Sequence, residues 1–172
     1  LAARLASMAT QIDNLTVWTF HDTCWQIADQ AGLELPSQDA DLDSDFFDRT
    51  LPELLLTAID LLPGMRFGAV IIDEAQDLEN EWWELLQLLL EDERDGIFWA
   101  FRDSGQNLFR RSSEVPSWLQ VYPLVENVRN TRSIHAAAAK FASGEAGESV
   151  GPEGIGVKYE LATTPRATRT VL

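Results

Sequence analysis

Asp73 and Glu74 are adjacent carboxylates that close a short apolar run, Ala69 to Ile72. Two carboxylates so placed can divide the work of a hydrolysis. One holds Mg²⁺, a hard cation that takes oxygen ligands and keeps several of its waters. The other orients and deprotonates a water for attack on a phosphate. A bare Asp-Glu pair is more often a solvated acidic turn. The full string Val70-Ile71-Ile72-Asp73-Glu74-Ala75-Gln76-Asp77 is much rarer by chance.

The run before the pair is short, rich in β-branched residues and bounded by Gly68, which predicts a buried strand. Its continuous apolarity suits the centre of a parallel sheet covered on both faces. In such sheets ligands bind beyond the carboxyl ends of the strands, where Asp73 and Glu74 would stand. Ile97 to Phe101 predicts a second buried strand, running into Arg102-Asp103-Ser104-Gly105-Gln106. The intervening stretch, Asn80 to Asp92, has helical period through Trp82, Leu85, Leu86 and Leu89.

Ile71-Ile72-Asp73-Glu74-Ala75-Gln76-Asp77 resembles the Walker B box (motif II) of UvrD/Rep-like superfamily 1 helicases, hydrophobic-Asp-Glu-x-Gln-Asp. Three further boxes follow the family's order. Thr19-Phe20-His21 is similar to the Thr-Phe-His form of motif Ia. Asp103-Ser104-Gly105-Gln106 resembles motif III, and Leu124-Val125-Glu126-Asn127-Val128-Arg129 resembles motif IV, whose core is Asn-Tyr-Arg.

The resemblance implies an α/β fold: a P-loop NTPase (RecA-like) core, mostly parallel sheet flanked by helices, incomplete at its N-terminus. It implies ATP and Mg²⁺ as cofactors, with Asp73 on the metal and Glu74 as the general base. Gln106 would bind the attacking water or the γ-phosphate, since an amide offers both donor and acceptor. Arg129 would approach the γ-phosphate with planar, bidentate donors. Single-stranded DNA is the implied partner, with RNA not excluded, together with the remaining helicase domains of the same polypeptide. Thr19, Phe20 and His21 would touch it, as would Phe109 beside Arg110, because stacking on aromatics is sequence-tolerant and arginines meet phosphates. On propensity alone Phe20 and Phe109 are as well suited to a core.

Three departures stand out. Arg102 replaces the usual Gly before motif III, and Val128 replaces the motif IV Tyr that lies near adenine in the family. No Gly-x-x-x-x-Gly-Lys-[Ser/Thr] string occurs, so the phosphate cradle is missing. In the family that loop precedes a stretch like Leu1 to Ala9. The chain is therefore expected to be a fragment, inactive alone: a partial ATPase domain over 1–143, then a linker and the start of a following segment over 144–172. The parent would be an ATP-dependent helicase or translocase, with a fused nuclease domain left open. The alternative is a degenerate NTPase-like scaffold without activity.

Composition sets the outer bounds. The 172 residues suffice for one domain, and 45% hydrophobic with 24% charged is ordinary for a globular protein. The net charge of −15 argues against a surface that is basic overall, the usual footprint of nucleic-acid binding. No apolar stretch reaches the length of a membrane span, so no membrane association is expected. Cys24 is the single cysteine, which excludes an internal disulfide and makes a reducing cytoplasm the default location.

The remaining elements follow from periodicity. Thr16 to Phe20 alternates as a strand, His21 to Ala31 has helical period with Gly32 as its stop, and Phe46 to Leu62 is a helix ended by Pro63-Gly64. Between them, Asp39, Asp41, Asp43 and Asp45 form an acidic loop, read as a solvated connection; the glycine and distal Glu of a calcium loop are missing. Tyr122 to Val125 is expected to be a strand, Asn130 to Ala142 a helix, Gly144 to Gly156 a linker and Val157 to Leu161 a last strand.

Overall fold

The computed structural model describes residues 7, 9, 12–37, 40–103, 114–141 and 147–158. They fall into two compact units, 7–103 with 114–116 and 117–158. Both are mixed α/β, with short parallel sheets flanked by helices. Among the described residues no helix is long and apolar enough to cross a membrane.

The first unit opens on α1 (Phe20–Gln30). Thr19 fixes its start: its side chain accepts from the Asp22 N–H, while the Asp22 carboxylate accepts from the Thr19 backbone and hydroxyl. This capping box takes up N–H groups that the first turn leaves unpaired. It also explains why Thr16 to Phe20 is not the expected strand. Residues 15–19 have no ladder, and Phe20 already begins the helix. The far end closes as expected at Gly32, whose φ of +71 is available to glycine. Gly32 N–H reaches Asp29 O and Leu33 N–H reaches Ala28 O, a Schellman pair.

Phe46 to Leu62 is helical in two parts, a π-turn over Phe46–Thr50 and α2 over Leu51–Leu61. Pro52 is the cause. It has no N–H to give the preceding turn, and its ring would collide with the carbonyl of residue 48 in a regular helix. The wider turn lets Leu51 N–H reach Phe46 O instead. Cys24, Ile27 and Ala28 of α1 and Leu51, Leu55 and Ala58 of α2 are fully buried, and the two helices pack together.

Then come β1 (Ala69–Ile72), a 3₁₀ turn (Ala75–Asp77), α3 (Asn80–Leu88) and β2 (Ile97–Ala100). β1 and β2 pair in parallel, with Val70 opposite Phe98 and Ile71 opposite Trp99. α3 is shorter than expected because Leu89 and Glu91 turn their backbone to Phe67, which forms an isolated bridge with Leu90. Trp82, Trp83, Leu85 and Leu86 face the core, and the Trp83 ring lies 6.3 Å from that of Phe98.

The expectation of strands covered on both faces is corrected. Both strands alternate between exposed and half-buried positions, with Ile71 66% and Trp99 56% exposed. Helices cover one face of this two-stranded sheet; the apolar run reflects a second face without cover among the described residues.

The second unit contains β3 (Glu126–Asn127), α4 (Arg132–Ala139) and β4 (Glu148–Ser149). Tyr122 to Val125 is not a strand; pairing starts one residue later, where Glu126 and Asn127 meet Glu148 and Ser149 in parallel. The described part of the stretch expected to be a linker is packed. Arg132 N–H donates to Pro152 O, and Ser133 donates to Glu153 O through both its N–H and its hydroxyl. Three close approaches require glycine: a Cβ on Gly147, Gly151 or Gly154 would collide with Val125 O, Asn130 O or the Thr131 side chain. The composition that reads as flexible is therefore a demand for close contact. Val157 and Lys158 form no strand, and 159–161 lie outside the described residues.

Candidate active site

The β1 ladder continues one step past its last residue. Phe101 N–H donates to Ile72 O and Ala75 N–H donates to Phe101 O, both at 2.8 Å. These two bonds clamp the Asp73-Glu74 corner against the end of β2. To turn here the chain places Glu74 in the left-handed region, φ 55 and ψ 40, the one non-glycine residue so placed among those described. That conformation costs on the order of 1 kcal/mol for a residue with a Cβ, and such strain clusters at functional sites. The bend leaves both carboxylates exposed beyond the strand end. Asp73 Oδ1 accepts from the Glu74 N–H at 3.1 Å.

Gln76 organises the corner, a role that its place in the motif does not by itself reveal. Its side chain is 2% exposed. Nε2 donates to Glu74 Oε2 at 2.6 Å, and Oε1 accepts from the Asp103 N–H at 2.9 Å. One buried amide thus aims the Glu74 carboxylate and ties it to the end of β2. The signal was present, a Gln two residues past the acidic pair, but only the turn shows that it points back.

Chemically, the corner offers an oriented carboxylate beside a second one, both reachable by solvent. An oriented acceptor within reach of water is what a general base needs. Among the described residues no group of three or more His, Cys, Asp or Glu side chains is arranged to hold a metal. Asp73 alone still fits Mg²⁺, which is commonly bound through one or two carboxylates, waters and substrate phosphates.

The other expected residues divide as follows. Gln106, Phe109 and Arg110 lie outside the described residues. Arg129 belongs to the second unit, where it is exposed and its N–H donates to Asn127 Oδ1 at 3.1 Å. Thr19 caps α1. Phe20 stacks on the buried Trp82 with centroids 4.2 Å apart and planes 15° from parallel. The His21 ring lies edge-on to both Phe47 and Trp82. These residues are thus brought together with one another, in packing and capping roles. His21 also lines an open cavity of about 450 Å³ with Trp25, Phe47, Asp22 and Asp41. Its aromatic walls suit stacking, whereas its carboxylates repel phosphate.

No family model matches the sequence, and no curated protein matches it significantly.

Proposed function

We propose that the chain is part of the first RecA-like domain of an ATP-dependent DNA helicase or translocase of the UvrD-like type. The observation that carries this reading is the brace from Gln76 to Glu74, 2.6 Å long, at the carboxyl end of a parallel strand. It supports separate roles for Asp73, Glu74 and Gln76 of the box at 73–77. Glu74 is the base that activates water against the γ-phosphate. Asp73 binds Mg²⁺, and that ion would neutralise charge on the phosphates. Gln76 sets the direction of Glu74. Gln106 and Arg129 are assigned to the water and the γ-phosphate by the resemblance of their motifs.

The nucleic-acid part rests on less. Thr19, Phe20 and His21 match a DNA-contacting motif, but capping and packing account for their side chains as they stand. Single-stranded DNA is therefore proposed as partner on the strength of the motifs alone.

The test is ATP hydrolysis by the natural-length protein, with and without single-stranded DNA, beside Glu74→Gln. DNA-stimulated turnover that falls about 10²–10⁴-fold in the variant is the expected result for loss of a positioned base. Turnover indifferent to DNA would remove the helicase and keep the ATPase. No turnover in either protein would favour an inactive scaffold, the second reading. That reading draws on the net charge of −15 and on the departures from the family's motifs at Arg102 and Val128.

A further inference from the structure

The second unit holds a hydrogen-bond chain whose polarity can be read without seeing a proton. Asn127 Oδ1 accepts from two backbone groups, Arg129 N–H at 3.1 Å and Asn130 N–H at 3.0 Å. Only an oxygen can do this, so the orientation of the amide is fixed. Its Nδ2 therefore faces His135 Nδ1, at 3.2 Å. An amide nitrogen only donates, so Nδ1 must carry a lone pair. On the other side of the ring, Nε2 lies 2.6 Å from Gly147 O, which only accepts, so Nε2 carries the hydrogen. The ring is held as the neutral Nε2–H tautomer, with both nitrogens engaged.

Protonation breaks this logic. An imidazolium presents a hydrogen on both nitrogens. Nδ1–H would then face the two hydrogens of Asn127 Nδ2, donor against donor. If the amide swings away, the link between β3 and α4 is lost. If it flips to offer Oδ1 to the ring, Nδ2 turns toward the N–H groups of Arg129 and Asn130, and both lose their acceptor. A charged His135 and the Asn127–His135 bond therefore exclude one another, and the Asn127–Asn130 turn loses the brace that ties it to α4.

We propose that His135 is a positioning residue for Arg129, a clasp that holds the Asn127–Asn130 turn when neutral and releases it when protonated. Imidazole is the one side chain whose charge ordinarily changes between pH 5 and 8. The functional sense of the clasp rests on the reading of Arg129 as a phosphate-facing group; its existence does not. The charged groups on the elements around the ring are Glu126 on β3, Arg129 in the turn, Arg132 and Lys140 on α4, Glu148 on β4 and Glu153 beyond it, all exposed. Glu145 lies outside the described residues.

The test follows the ring and the turn together in the full chain. Nitrogen chemical shifts of His135 report its tautomer, and the backbone amides of Arg129 and Asn130 report the turn, from pH 8 to pH 5. The expected result is a neutral Nε2–H ring at pH 8 and one shared midpoint for the ring and both amides. Below it, the protection of the two amides, exchange measured against the intrinsic rate at the same pH, should fall about tenfold or more. His135→Asn should abolish the transition at the amides. Asn127→Asp supplies a carboxylate that accepts from the turn and from an imidazolium at once; it should move the ring's titration to higher pH and keep the amides protected. Amides that stay put through the ring's titration, or a transition that survives His135→Asn, would overturn the clasp. Since no ATP turnover is read, this result is separate from the helicase reading, which is tested by DNA-stimulated turnover beside Glu74→Gln; unchanged turnover in Arg129→Ala would remove only the phosphate-facing role of Arg129.

Discussion

Gln76 and Glu74 are joined by a 2.6 Å hydrogen bond from a buried amide to an exposed carboxylate, across a turn in which Glu74 is left-handed. The amide's other end holds the Asp103 N–H. Replacing Gln76 by Leu removes both bonds at once. Loss of the two bonds, at about 0.5–1.5 kcal/mol net each, should cost about 1–3 kcal/mol, read as a lower midpoint in urea unfolding. In the natural-length protein, ATP turnover should fall about tenfold or more, part of the 10²–10⁴ a positioned base supplies. Unchanged turnover at unchanged stability would show that the brace does not matter.

The backbone of Glu74 makes a second prediction. Glycine adopts φ near 55 without strain, so Glu74→Gly should be more stable than Glu74→Ala by about 1 kcal/mol, while both lack the carboxylate that Gln76 braces and both lose turnover. Glu74→Gln should remove turnover with little change in stability. If Glu74→Gly is no more stable than Glu74→Ala, the left-handed turn is not a source of strain.

Cys24 is fully buried between α1 and α2, and burial pushes its thiol up to about 12. The unfolded thiol titrates near pH 8.5, so between that pH and about 12 the unfolded chain binds fewer protons than the folded one. Stability should then fall as pH rises, by up to about 1.4 kcal/mol per pH unit from this group. Cys24→Ala should flatten that slope between pH 9 and 11. At pH 8 the native protein should resist iodoacetamide and the urea-unfolded protein should react within minutes. Fast native alkylation would place the thiol at the surface.

How much of this was legible in the sequence depends on the range of the interaction that decides each element. α1, its Gly32 stop and the two strands around Asp73 were readable because period, caps and glycine act within a few residues. The π-turn before Leu51 is not legible even from Pro52, because a proline inside a helical pattern can be met by a kink, a break or a wider turn. The work of Gln76 is hidden inside its motif, since its partners are two residues back and 27 residues on. The Gly147–Gly156 stretch misled for the same reason: composition reports conformational freedom, and only the apposed Val125–Thr131 segment shows what the freedom is for.

Thr19 separates capping from nucleic-acid contact. Its side chain receives the Asp22 N–H at 3.1 Å and donates to the Asp22 carboxylate at 2.7 Å. Thr19→Ala should cost about 1 kcal/mol of stability, as loss of an N-cap does, and Thr19→Ser should recover most of it. Thr19→Val keeps the shape and lacks the hydroxyl, so it should behave like alanine in unfolding. Binding of a fluorescent oligothymidine to the natural-length protein is then measured for all three. If Thr19 only caps α1, affinity changes less than about twofold in variants that remain folded. If affinity falls about tenfold in both Thr19→Ala and Thr19→Val and returns in Thr19→Ser, the hydroxyl also reaches the strand. In that case motif Ia keeps its nucleic-acid role despite the acidic residues beside it.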